Sequence, residues 1–182
     1  MIERSKFIIT GRPGSGKSTC VMILVKGLRE RGLRVGGIRT PELREGGVRK
    51  GFFVEDLFTG ERELFASTEF RSGPSVSKYV VDLGKFESIA LPALTRASEE
   101  CDVVVIDEIG KMELFSRKFV ELVRELWGSD SIAVGTAPLA RINEVERLKN
   151  LSEVIRIERG EAERVSNYLI SRIERILRER TL

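Results

Sequence analysis

One octet limits what this chain can fold into more than any other feature: Gly11-Arg12-Pro13-Gly14-Ser15-Gly16-Lys17-Ser18. It follows the phosphate-binding pattern G-x-x-x-x-G-K-[ST], in which glycines let the backbone curl and turn successive N–H groups inward. The pattern demands a strand before it and a helix after it. Lys6–Thr10, a compact apolar run with β-branched residues, reads as the strand. Val21, Leu24, Val25 and Leu28 recur at helical spacing and Gly32 supplies a stop, so Lys17–Arg31 reads as the helix. The helix would aim its positive dipole end at a bound triphosphate. A glycine-rich turn that binds nothing is the plainer alternative, and the flanking elements argue against it.

The remaining chain continues the strand–helix rhythm. Leu33–Arg39 reads as a second strand, stopped by Pro41, which cannot donate to a ladder. Glu42–Ser67 breaks the rhythm. It holds a loop signal at Gly46-Gly47, two short runs (Gly51–Leu57 and Glu63–Ala66) and a turn candidate at Thr59-Gly60, which suggests an antiparallel hairpin addition with packed phenylalanines. Lys78–Leu83 reads as another strand. A helix over Phe86–Glu100 contains Pro92, where it should start or kink. Asp102–Glu108 is the strongest strand, and its four consecutive apolar residues suit burial on both faces. Ser116 should cap a helix to Trp127, before Gly128. A strand at Ser131–Thr136, a short helix at Val145–Asn150, a strand at Val154–Ile157 and a helix at Glu161–Arg180 complete the pattern. Alternation of this kind implies an α/β fold in one domain, residues 1–182, with a mainly parallel sheet covered on both faces.

The 182 residues carry 31 basic and 28 acidic side chains, a net charge of +3. Basic and acidic residues are interspersed, so no nucleic-acid partner is implied. Cys20 and Cys101 form no C-x-x-C pair and read as small core residues. No run is long and apolar enough to cross a membrane, and the opening Met1-Ile2-Glu3-Arg4-Ser5 lacks a signal pattern. A cytoplasmic monomer is expected.

A phosphate loop needs an acid to hold its metal. In an open parallel sheet, ligands bind at the carboxyl ends of strands, where both the loop and Asp107 should lie. Lys17 would reach the β- and γ-phosphates, and Ser18 and Asp107 would hold Mg²⁺. Glu108 follows at once, and a carboxylate beside the γ-phosphate can orient and deprotonate water. Thr136, ending the neighbouring strand, could bond the γ-phosphate or that water, or be a plain strand-ending threonine. Further positive charge in the transition state could come from Arg12 or Lys111, with Arg44, Arg49, Arg141 and Arg159 as more distant candidates.

Three stretches together resemble one family, the THEP1-type nucleoside-triphosphatases: Thr10 to Thr19; Gly37-Ile38-Arg39-Thr40-Pro41-Glu42-Leu43-Arg44 with Gly47 to Phe52; and Val105-Ile106-Asp107-Glu108-Ile109-Gly110-Lys111-Met112-Glu113-Leu114. The last run is the most restrictive. The resemblance implies a RecA-like P-loop NTPase domain with a small antiparallel addition, and Mg²⁺-dependent hydrolysis of nucleoside triphosphates such as ATP and GTP. It also implies nucleotide contacts at Gly11, Arg12, Pro13, Gly14, Ser15, Gly16, Lys17, Ser18 and Thr19. A second set of contacts falls at Val103, Val104, Val105, Ile106, Asp107, Glu108, Ile109 and Gly110. Glu158-Arg159 departs from the Asn-Arg common there in the family. Two other readings share the loop: a small-molecule or nucleotide kinase, which usually closes an arginine-rich lid, and a nucleotide-dependent switch with little turnover.

Overall fold

The computed structural model describes residues 4–182; the opening Met1-Ile2-Glu3, part of the segment read as lacking a signal pattern, lies outside them. Five parallel strands form the centre: β1 (Lys6–Gly11), β2 (Val35–Arg39), β8 (Val103–Asp107), β9 (Ile132–Pro138) and β10 (Glu153–Arg156). They stand in the order β10-β1-β9-β8-β2, so β9 separates the loop-bearing β1 from β8. The register sets Ile9 beside Thr136, Gly135 beside Ile106, and Gly37 beside Val105.

The two-residue period of a strand explains the layers. Phe7, Ile9, Val103 and Val105 face one side, packed by α1 (Lys17–Glu30) and α5 (Ala162–Arg180). Ile8, Val104 and Ile106 face the other, packed by α2 (Leu83–Glu100), α3 (Arg117–Trp127) and α4 (Asn143–Asn150). This is the expected α/β sheet with helices on both faces.

The antiparallel addition is larger than a hairpin. It comprises β3 (Glu42–Glu45), β4 (Val48–Asp56), β5 (Arg62–Ser67), β6 (Ser75–Val76) and β7 (Tyr79–Val81). It therefore ends at Val81 rather than Ser67. The expected strand at Lys78–Leu83 is part of it, because Ala66 pairs antiparallel with Val81. β4 pairs with β2, so the addition continues the main sheet.

The helix does not start at Pro92. α2 starts at Leu83, where the Asp82 carboxylate accepts the Lys85 N–H at 3.0 Å, and runs through Pro92. Ser88 and Pro92 are both exposed, so water can reach the carbonyl that proline leaves unbonded. Cys20 is buried and its thiol is pushed up to about 12, first by burial and then by Asp107; Cys101 is partly buried, and neither forms a disulfide.

The addition is tied down by charge. Asp56, 2% exposed, receives Arg96 of α2 at 2.7 Å and the N–H groups of Phe58 and Thr59. Burial alone would raise its carboxyl, but these donors hold it below the usual range. A depressed carboxylate contributes stability above its unfolded pKa, and that stability is lost as pH falls through the folded value. Asp56→Asn should lower unfolding stability at pH 7 by about 1.5–3 kcal/mol. The deficit should shrink below about pH 4. Urea unfolding at both pH values checks this, and a pH-independent deficit would count against it.

Candidate active site at the carboxyl edge of the sheet

The chain leaves β1 at Gly11 and curls into the phosphate loop. Ser15 N–H donates to the Arg12 carbonyl at 3.0 Å, and Gly16 caps α1 at a φ of 99°, a conformation that a side chain would strain. No side chain caps α1 and no acid lies in its first turn, so its N–H groups and dipole face the loop unopposed. Lys17 Nζ lies across the loop and donates to the Gly11 carbonyl at 2.7 Å and to that of Arg12 at 3.4 Å.

Backbone bonds between strand ends fix the surroundings. Thr40 N–H donates to the Asp107 carbonyl at 2.7 Å, Ile109 N–H to that of Thr136 at 2.8 Å, and Ile157 N–H to that of Thr10 at 2.8 Å. The peptide joining Asp107 to Glu108 is cis. Asp107 is buried, and the Ser18 hydroxyl stands beside its carboxylate. Burial raises the Asp107 carboxyl, opposed by the Thr136 and Ser18 hydroxyls and by Lys17 and Arg39. Glu108, half-buried, is likewise raised by burial and by the charge of Asp107, against the pull of Lys17.

A cleft of about 740 Å³ runs over these groups. Its floor includes Pro13, Gly14, Ser15, Gly16, Lys17, Ser18 and Thr19, facing Asp107, Glu108 and Lys111. Gly11 is buried beneath the loop, serving through its carbonyl, and Arg12 points outward. Val103, Val104, Val105 and Ile106 lie in the two cores, at most 1% exposed, and do not line the cleft; they carry Asp107 to the edge. Ile109 and Gly110 are also buried and do not line it. The Thr136 hydroxyl, fully buried, donates to Asp107 Oδ1 at 2.6 Å, so it orients the acid.

Sequence reasoning missed part of the wall. Glu113 lines the cleft, within the same run as Asp107 and Glu108. The addition contributes Glu42, Arg49, Phe52 and Val76. Arg49 was one cation among several, but its placement needs the antiparallel register. Its Nε donates to the Tyr79 hydroxyl at 2.8 Å, its NH1 to Glu42 at 3.2 Å, and its guanidinium stands over the Phe52 ring. Arg44, Arg141 and Arg159 do not line the cleft.

Against known proteins, residues 6–179 match a family described as NTPase. The nucleoside-triphosphatase THEP1 of Korarchaeum cryptofilum is 67% identical over 178 residues, covering 98% of this chain and 91% of its own. This chain belongs to the THEP1 nucleoside-triphosphatase family. THEP1 from Thermotoga maritima is 40% identical, with 95% of each chain covered. The crystal structure of THEP1 from Aquifex aeolicus superposes with a TM-score of 0.80 at 34% identity, covering 93% of this chain and 99% of that one. The solution structure of a human cancer-related nucleoside triphosphatase gives 0.76 at 34%, covering 91% and 95%. Both structures share this α/β fold over nearly the whole length of this family member.

Proposed function

We propose that this THEP1-family protein hydrolyses nucleoside 5′-triphosphates, ATP and GTP among them, to the diphosphate and phosphate. Mg²⁺ would bind at Ser18 and Asp107, and Glu108 would be the base. The observation that carries this reading is the meeting of Lys17, the Ser18–Asp107 pair and Glu108 in one cleft over the phosphate loop. Ser15 Oγ is buried there without a partner, a donor that a phosphate oxygen would satisfy.

The donor set fits the metal. Among the described residues no group of three or more acidic, histidine or cysteine side chains is placed to hold a metal ion, and Ser18 and Asp107 are two hard oxygen ligands. Mg²⁺ suits such a site because it keeps phosphate oxygens and waters as its other ligands. When bound, it supplies positive charge to the β- and γ-phosphate oxygens.

The chain's own residues do the rest. Loop N–H groups and Lys17 hold the triphosphate and offset charge developing on the leaving diphosphate. Water attacks the γ-phosphorus, the bond from that phosphorus to the β–γ bridging oxygen breaks, and the water's proton passes to Glu108 and then to solvent. The raised carboxyl of Glu108 makes it a stronger base than an exposed glutamate.

A kinase would need a lid that shuts water out. Among the described residues the only candidate is the addition. It is hydrogen-bonded to β2, paired through Arg39 and Glu55, and clamped to α2 by Asp56 and Arg96, which favours a fixed wall. Pure protein given Mg²⁺ with ATP, GTP, CTP or UTP should release phosphate and the matching diphosphate in equal amounts without an acceptor. Binding with no release would favour the switch.

A further inference from the structure

One buried acid at the cleft plays no part in that scheme. Glu113 opens a short 3₁₀ turn (Glu113–Phe115) and is 5% exposed, yet it reaches the cleft wall. Its Oε1 accepts the Gly110 N–H at 3.1 Å, and among the described residues no cation is set against it. A carboxyl group so placed is pushed toward its neutral form. Burial and the charges of Glu108 and Asp107 push it well above the usual range, and the Gly110 N–H pulls back only in part.

A neutral carboxyl group has one O–H to donate. Glu108 lies within reach. Both side chains converge on the bare α-carbon of Gly110: a Cβ there would stand 2.7 Å from Glu108 Oε1 and 3.1 Å from Glu113 Oε1. The two oxygens are thus no further apart than those distances combined, a span that one bridging water closes. Gly110 keeps this space open by having no side chain.

We propose that Glu113 is a positioning residue: anchored by the Gly110 N–H, its carboxyl group donates through one bridging water to the Glu108 carboxylate and holds it against the attacking water. This rests on Glu108 being the base. Glutamine at 113 preserves both the acceptor and a donor, whereas methionine preserves only bulk and burial. A misplaced catalytic group costs up to about 100-fold.

The test is single-turnover phosphate release from ATP with Mg²⁺, alongside affinity for a non-hydrolysable ATP analogue. Glu113→Gln should stay within about threefold of wild type, while Glu113→Met should lose about 10- to 100-fold in turnover with unchanged analogue affinity. In a Glu108→Gln background, adding Glu113→Met should change the residual rate by less than about twofold, since coupled groups are not additive. Three results would overturn the proposal: Glu113→Gln as impaired as Glu113→Met, Glu113→Met at wild-type turnover, or a full further loss in the Glu108→Gln background. Should Glu113→Met fail to fold, Glu113→Asp replaces it. Aspartate draws the carboxyl back by one methylene, so the same loss is expected and wild-type turnover would refute the role. If Glu108→Gln itself turns over normally, the reading of Glu108 fails whatever happens at Glu113; loss at Glu108 with none at Glu113 sinks only the positioning role.

Discussion

Replacing Glu108 by glutamine should lower kcat for triphosphate hydrolysis by about 10²–10⁴-fold while leaving nucleotide affinity near wild type. The asymmetry follows from what the side chain touches. Glu108 lines the cleft one residue beyond Asp107, and among the described residues it makes no ion pair that its loss would break. Glutamine has the same shape and cannot take the water's proton. The loop, Lys17, the Ser18–Asp107 pair and the Thr136 hydroxyl on Asp107 all stay in place, so the binding surface is unchanged. Phosphate release measured beside analogue affinity separates the two quantities. Near-normal release would remove Glu108 from the chemistry.

Lys17→Ala should damage both quantities. The ammonium is held over the loop by the Gly11 carbonyl, at the place where phosphate oxygens would receive it. Losing one charge-assisted hydrogen bond costs about 1.5–3 kcal/mol, or about 10- to 150-fold in affinity. Losing charge aimed at the leaving diphosphate costs about 10²–10³-fold more in turnover. The fold should survive, because Lys17 is half-exposed at the first turn of α1 and makes no core contact. A rise in KM with a fall in kcat, at an unchanged unfolding temperature, is the expected pattern. A pure KM effect would mean that Lys17 serves the ground state alone.

The contrast between β8 and the addition shows what the amino-acid sequence makes legible. Val103 to Ile106 is unbroken apolar sequence, and only a strand buried on both faces accepts that, so β8 and the place of Asp107 at its end follow directly. The phosphate loop is legible because its pattern is its mechanism. The addition is harder. β3 is short and polar, mostly exposed on both faces, and its pairing with β4 shifts register near Leu43, so no periodicity marks it. The seat of Arg49 depends on contacts to Tyr79, thirty residues on. Pro92 does not mark the start of α2 because the carbonyl it leaves unbonded belongs to an exposed residue, Ser88, which lowers one part of proline's cost inside a helix. Glu113 was in plain view in the most restrictive run, but a glutamate flanked by Met112 and Leu114 announces burial only once Gly110 is seen turning its N–H toward it.

Turnover in water labelled with heavy oxygen tests the central claim most directly. With ATP, Mg²⁺ and pure protein, and no acceptor present, water activated by Glu108 should place one labelled oxygen in each phosphate released and none in the diphosphate. Glu108→Gln should abolish nearly all of that labelled phosphate. Label appearing in the diphosphate, or phosphate transfer that begins only when an acceptor hydroxyl is added, would contradict the account.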